Sequence, residues 1–414
     1  MVSPHRPTIG LTEFVGLMAT LTAVAALSID MVLPALPAIG ASLGVERAND
    51  NQLVVSLLFL GFGIGQLFYG PLSDAAGRKP AAYVGLALYT LGCVLALVSR
   101  TFPLMLAGRF LQGIGVAGPR TICIALVRDK FEGRAMARVM SLITMVFILV
   151  PIVAPALGQM VLGAFGWRAI FAAYLTTALA ATVWFAVRQE ETLPPERRLP
   201  FSPGRIAGAV REVLTTRRAI GYTVAAGYVF GALIGYLSSA QQILQQQYAQ
   251  GSRFPLLFAL VAVSIGVASF LNANLVLRLG MHMLSTWSLR GIFVASVLFT
   301  AFSSAWSGHP PLWTLMTYLM TMFFGIGLLF GNLNALAMQP LGHIAGTGAA
   351  VVGGTSMLIS LTFGTLIGQM YNGTVLPLVI GFAALSACAI VTSWWAESGS
   401  DEPQTSNLRG TIYD

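Results

Sequence analysis

Apolar stretches long enough to cross a bilayer recur along the whole length of this 414-residue chain. A crossing needs about 20 consecutive apolar residues of helix, and inside a bilayer a helix satisfies every backbone N–H and C=O within its own segment. The chain is 56% hydrophobic and only 9% charged, against roughly 25% charged in ordinary soluble domains. It therefore reads as an all-α, polytopic membrane protein. Polar loops and Gly/Pro breaks divide it into twelve spans, starting near residues 11, 50, 80, 103, 136, 168, 219, 255, 285, 311, 346 and 374. The first span has no small-residue cleavage site and is expected to be retained, unlike a signal peptide.

One long polar stretch interrupts the pattern: residues 188–218, rich in arginine and proline. It reads as a linker with room for a short surface helix. It separates an N-terminal six-helix half, 1–187, from a C-terminal six-helix half, 219–396, followed by a tail at 397–414. Equal halves suggest a duplicated unit. With the N-terminus placed inside, Arg6, Arg78, Lys79, Arg128, Lys130, Arg134, Arg138, the linker arginines, Arg278, Arg290 and Arg409 are cytoplasmic; only Arg47, Arg100, Arg168 and Arg253 fall outside. This positive-inside bias puts both termini in the cytoplasm. The formal charge of +8 is thus a topology signal, and no nucleic-acid partner is implied.

Enzyme chemistry finds no foothold. His5, His282, His309 and His343 have no ligand spacing, so no metal site is expected. Lys79 and Lys130 follow Arg and Asp, which excludes a Walker A loop. Cys93, Cys123 and Cys388 are scattered through apolar runs, where a thiol behaves as a small hydrophobe. GIGVAG at 113–118 matches GxGxxG but follows an apolar helix and no strand, so its glycines are read as close helix contacts.

Polar residues inside the spans carry the functional signal. Asp30, in AALSIDMVLPALP at 25–37, is the one acidic residue well inside a span. A charge at mid-bilayer costs at least about 2.5–3.5 kcal/mol on insertion scales and normally faces a cavity or a partner. Either Asp30 titrates, or it forms a purely structural ion pair with Arg109. Pro34 and Pro37 remove the helical donors for the carbonyls of Asp30 and Leu33, weakening the helix where the carboxylate sits. On span four Arg109, Gln112 and Gly113 share a face, and Arg120 follows about three turns later, roughly 16 Å along the helix. That stripe is expected to line a cavity, with Gln112 and Arg120 as its polar groups.

GPLSDAAGRKP at 70–80 joins spans two and three. It resembles the loop signature of the major facilitator superfamily, with Gly70, Leu72, Asp74, Gly77, Arg78 and Lys79 in register; the superfamily fold is two six-span halves about a midplane site. SIDMVLPALP at 28–37, RFLQGIG at 109–115, VRD at 127–129, PIVAPALG at 151–158 and GWRAIF at 166–171 are similar to the drug/proton antiporters of the Bcr/CflA branch, which includes bicyclomycin and chloramphenicol exporters. GNLNALAM at 331–338 and IAGTGAA at 344–350 extend the likeness more weakly into the second half. Val32 stands where the branch usually has tyrosine, and Ala154 precedes Pro155 where antiporters often have glycine.

The resemblance implies a transporter, with protons as coupling ion, no other cofactor, a small-molecule substrate and the bilayer as partners, and a monomer in a bacterial inner membrane. It implies proton coupling for Arg109 and a bending span five at Pro151, Pro155 and Gly158; Asp30, as the only deeply placed acid, is expected to carry the proton that Arg109 helps to hold or release. It also implies a cytoplasmic latch of Gly70, Asp74, Gly77, Arg78 and Asp129, in which Asp74 faces the N-terminal end of span eleven and Arg78 pairs with Asp129. Substrate contact is expected among Tyr222, Tyr228, Tyr236, Phe323, Asn332 and Asn334. Export of a small amphiphilic toxicant is the leading function; a proton-coupled uptake carrier and a transport-dead membrane sensor are its rivals. Counting Asp30 with Arg109 and Arg120 leaves the cavity cationic and favours neutral or zwitterionic ligands.

Overall fold

A computed structural model describes residues 9–200 and 202–398. Arg6, His5, Arg409 and most of the tail expected at 397–414 lie outside the described residues. Regular structure among those described is entirely helical: α1 Leu11–Asp30, α2 Leu36–Ser42, α3 Leu53–Ala76, α4 Arg78–Leu97, α5 Phe102–Lys130, α6 Gly133–Phe165, α7 Trp167–Arg188, α8 Pro203–Thr215, α9 Arg217–Gln241, α10 Phe254–Leu279, α11 Met281–Ala305, α12 Leu312–Met338, α13 Ala345–Gln369 and α14 Leu376–Glu397. α1 and α2 make one crossing with a break between them, and α8 is too short to cross. The 58-residue apolar run Leu312–Gln369 is two crossings, because the chain leaves helical geometry at Leu341. Twelve crossings result, six on each side of α8.

Single glycines make the sharpest of the connections. Gly77, φ 104°, alone separates α3 from α4, and Gly280, φ 78°, alone separates α10 from α11. Both conformations are strained for residues with a Cβ, and they stand at corresponding places in the two halves. Large apolar side chains such as Phe270, Leu277, Leu298, Trp313 and Trp394 project from the outer faces of the bundle. A soluble monomer rarely exposes so continuous an apolar surface; in lipid it is the solvated face.

Inside each half the helices approach closely. α5 packs on α3 and α4, and α9 on α13 and α14; between halves, α3 runs beside α13 and α6 beside α10. The glycines of GIGVAG serve this packing: a Cβ at Gly113 would collide with the Leu58 carbonyl oxygen on α3, and one at Gly115 with the Tyr89 backbone on α4.

The two halves are bonded to each other mainly at the end remote from the termini. There Asn49 Nδ2 donates to the carbonyls of Gln369 and Tyr371, both at 2.9 Å, and Gln369 Nε2 returns a bond to Asn49 O at 3.0 Å. Gln242 Nε2 donates to Asn49 Oδ1 at 2.8 Å and Gln52 donates to Gln242. Thr365 reaches Ser56 at 3.0 Å, and Gln159 reaches Gly251 O at 3.1 Å. This amide seam closes one end of the space between the halves.

The glycine contacts give a direct test. Gly113→Ala has no room and should lower stability by about 1–3 kcal/mol, read as a lower unfolding midpoint in detergent. Gly163→Ala meets nothing within 4 Å and should be neutral or slightly stabilising, since Ala is the better helix former.

Candidate functional site

The first crossing breaks at its carboxylate. α1 ends at Asp30, Met31 follows in a turn, Leu33–Ala35 form a single 3-10 turn, and the helix resumes at Leu36. Pro34 and Pro37 enforce the break by withholding two backbone donors. The last carbonyls of α1 then need other partners. Arg109 Nη2 donates to Ser28 O at 2.8 Å, and Tyr174 Oη adds a bond of 3.0 Å to Leu27 O, which already accepts the Met31 N–H. On the other side α6 closes against the break at Gly158, where a Cβ would collide with Met31 O.

Arg109 is 0% exposed. Besides Ser28 O, its Nε donates to Val54 O at 2.8 Å and its Nη1 to Gln112 Oε1 at 2.7 Å. Gln112 Nε2 in turn meets Cys93 Sγ at 3.2 Å. Ser28 Oγ and Tyr89 Oη share a hydrogen bond of 2.6 Å beside this cage. The structural ion pair between Arg109 and Asp30 is therefore absent from this conformation: the guanidinium spends its donors on carbonyls and an amide. Gln112, expected in the cavity, is also 0% exposed, because its amide is needed to complete the arginine's cage.

Between the halves, on the terminal side of the amide seam, lies a cavity of about 270 Å³. Its walls are mostly apolar, from Phe59, Phe62, Phe147, Pro151, Phe230, Phe258, Phe323, Phe330 and Met357, and its polar members are few: Asp30, Gln66, Arg120, Tyr236, Asn334 and Ser356. Asp30 is 4% exposed, and that exposure faces the cavity. Its carboxyl group accepts no hydrogen bond from, and makes no ion pair with, any described residue. Opposite charge is present in the same space: Arg120 lies over the rings of Phe147 at 4.7 Å and Phe62 at 5.6 Å. Two further polar atoms are buried without hydrogen-bond partners, Tyr236 Oη and Gln66 Oε1. Tyr236 stacks on Phe258 at 5.8 Å and meets the Phe323 edge at 4.7 Å. A carboxyl, a guanidinium, a phenol and an amide thus converge on an otherwise oily cavity, the usual build of a small-molecule site.

Of the expected substrate contacts, Tyr236, Phe323 and Asn334 line this cavity. Tyr222 does not: it is buried against α14, its hydroxyl bonded to Glu397. Tyr228 packs its ring on Phe363 at 5.2 Å and borders a separate crevice near Phe382. Asn332 turns the other way from Asn334 and donates to Asn272 Oδ1 and Leu328 O, both at 2.8 Å. Pro151 reaches the cavity, whereas Pro155 is buried outside its lining and Gly158 abuts Met31 at the α1 break. Gln66 was detectable in the sequence as an amide within an apolar run; the phenylalanines other than Phe323 were not, since Phe on a lipid-facing surface reads the same.

At the terminal end, Arg78 is the hub of the 70–80 loop. Its Nε donates to Asp129 Oδ2 at 2.9 Å, while its Nη1 donates to Ser73 Oγ at 2.9 Å and to Asp74 Oδ1 at 2.5 Å. Asp74 therefore does not engage the start of α13 here: it lies one turn before Arg78, which takes its charge. Gly70 faces Ala350 of α13, with room for a methyl at 3.6 Å. The linker supplies partners that sequence spacing did not indicate. Glu191 accepts the backbone N–H groups of Arg78 and Lys79 at 2.9 and 3.0 Å, capping α4. Thr192 donates to Asp129 Oδ2 at 2.7 Å, and Leu199 N to Asp74 O at 2.9 Å.

Residues 18–365 match the profile of the Major Facilitator Superfamily. The chain is 30% identical over 372 residues to the uncharacterized MFS-type transporter YdgK of Bacillus subtilis, covering 88% of this chain and 90% of that protein. It is 28% identical over 379 residues to a bicyclomycin resistance protein homolog of Haemophilus influenzae, again covering 88% and 90%. Multidrug resistance protein D of Escherichia coli is 27% identical over 348 residues, covering 82% and 84%. Among solved structures, the human organic anion transporter MFSD10 superposes with a TM-score of 0.68 at 16% identity, over 95% of this chain and all of that one. A D-xylose-proton symporter does so with a TM-score of 0.68 at 14% identity, over 94% and 98%. The last two show a shared fold.

The docked linker is testable. Glu191→Ala removes the acceptor for two N–H groups at the start of α4, a loss worth about 0.5–2 kcal/mol for a helix cap. Trypsin should then cut at Arg197 and Arg198 several-fold faster than in the unaltered protein, while the helical content stays unchanged. Equal cleavage rates would mean that the linker is not held by this contact.

Proposed function

Because the chain belongs to the Major Facilitator Superfamily, a family of transporters whose members are not enzymes, we propose that it exports small amphiphilic compounds from the cytoplasm in exchange for protons. The observation that carries this reading is Asp30: a carboxyl group facing an apolar cavity with no partner among the described residues. Removal from water favours the neutral form of any carboxyl group, and an approaching cation favours its charged form. Arg109 is held to Ser28 O, two residues before Asp30. A shift of the broken end of α1 against α5 changes the distance between the two side chains, and with it the proton's hold. Drug-resistance names among the relatives, bicyclomycin and multidrug alike, support export of toxic compounds over uptake of a nutrient.

The charge bias of the loops supports a multi-pass protein of a bacterial inner membrane with both termini cytoplasmic. On that orientation the amide seam closes the periplasmic end and the cavity faces inward. The 70–80 loop, with Arg78 bridging Asp74 and Asp129, is then the cytoplasmic latch in its unfastened position, free to engage α13 when that side closes. Alternation between the two states moves the halves about the cavity. No cofactor beyond the proton is needed, and a monomer contains the whole site.

Substrate charge follows from a revised count. Arg109 is sealed away from the cavity, so the charges that a ligand meets are those of Asp30 and Arg120. They cancel when both are ionised and leave +1 when Asp30 holds a proton. A purely cationic ligand is opposed by Arg120 throughout, which favours neutral or zwitterionic compounds. One titratable acid implies one proton per cycle. Its inward movement releases about 2.3 kcal/mol per 100 mV, enough for a roughly 40-fold gradient of a neutral compound.

Asp30→Asn keeps the shape and hydrogen bonding of the side chain but cannot titrate. It should insert normally and lose uphill, protonophore-sensitive export measured in everted membrane vesicles, while Asp30→Glu retains part. Export by Asp30→Asn at the native rate would return Asp30 to a structural role.

A further inference from the structure

Arg120 is the cavity residue that proton coupling leaves unexplained. A guanidinium taken out of water needs counter-charge or a full set of hydrogen-bond acceptors. The rings of Phe62 and Phe147 flank it at 5.6 and 4.7 Å, which steadies a cation but supplies neither a negative charge nor an acceptor in the plane of its N–H groups. No described carboxylate pairs with it and no described residue accepts a hydrogen bond from it. The acid that shares its cavity, Asp30, is neutral whenever it carries the proton.

We propose that Arg120 is the specificity-determining residue of the cavity and selects aromatic amphiphiles that carry a carboxylate as well as an amine. The inference rests on reading this cavity as the transport site. A carboxylate fits the guanidinium in the paired, planar geometry that arginine favours, and the flanking rings offer faces for a flat aromatic body. The ligand's amine faces the ionised Asp30 and competes with the proton for it, which is what exchange requires. A ligand with the amine alone leaves Arg120 uncompensated; one with the carboxylate alone leaves the ionised Asp30 uncompensated. The zwitterion answers both charges. Arg109 does not compete for the ligand's carboxylate, because its donors are committed to Ser28 O, Val54 O and Gln112.

The test uses two fluorescent probes that differ in one group, Nε-dansyl-lysine and dansylcadaverine, its counterpart without the carboxylate. Binding is read by dansyl fluorescence on the purified full-length protein in lipid nanodiscs. The unaltered protein should bind dansyl-lysine at least about tenfold more tightly, the scale of one charge-assisted hydrogen bond. Arg120→Gln should abolish that preference while binding dansylcadaverine as well as before or better. Arg120→Lys, which keeps the charge and loses the planar fork, should restore part of the preference and so separate recognition from misfolding. An unaltered protein that does not prefer dansyl-lysine, or an Arg120→Gln variant that still does, overturns the proposal. Because the assay reads binding, loss of the proton-coupled reading through Asp30→Asn and loss of this one are separate results.

Discussion

The site depends on a helix end held by an arginine. α1 stops at Asp30 inside the membrane, where water cannot satisfy the carbonyls that the break exposes and each orphaned group costs several kcal/mol. Arg109 takes up that of Ser28, and Tyr174 reinforces Leu27 O beside its helical Met31 N–H. The negative end of the helix dipole also meets a positive charge there. Nε of the same guanidinium binds Val54 O, so one side chain on α5 ties together the end of α1 and the start of α3. Together with Tyr174 and the close approach of Gly158 to Met31, this clamp fixes the carboxyl group at the cavity wall. Because the clamp is made of hydrogen bonds, it is also the place where α1 can be released.

Around that clamp the bundle divides its labour. Glycine contacts let α5 lie against α3 and α4 and hold the first half as a unit, and an amide seam from Asn49 to Gln369, Tyr371 and Gln242 joins the halves at one end. At the other end an arginine network centred on Arg78 stays within the first half and reaches the linker. Amides suit a seam that opens and closes, as the proposed cycle requires: a neutral hydrogen bond nets only about 0.5–1.5 kcal/mol. The cavity lies between these two regions, with its charges separated by residue and by role.

On the proposed mechanism, the arrangement of polar groups separates coupling from recognition. Arg109 is wholly enclosed and bonded; Arg120 is part-buried, bordered by rings and open to the cavity. Two arginines eleven residues apart on one helix thus have opposite surroundings. The difference lies in what packs across from them: backbone carbonyls of α1 and α3 for the first, phenylalanines of α3 and α6 for the second.

Much of this was legible in the sequence. Hydrophobic length fixed the helical crossings, because a bilayer admits few other backbones. The prolines at 34 and 37 located the break, because proline has no N–H to give. A lone acid in an apolar run marked Asp30, because burying a charge is costly unless it serves a purpose. Spacing on one helix could not decide which neighbour each polar side chain meets. Gln112 shares a face with Arg109 and turned out to bond it; Asn332 and Asn334 diverge into different surroundings; Tyr222 left the cavity for Glu397; Glu191 came from a linker to cap α4. Hydrogen bonds form between groups brought together from distant parts of the chain, and only the packed bundle decides which groups those are.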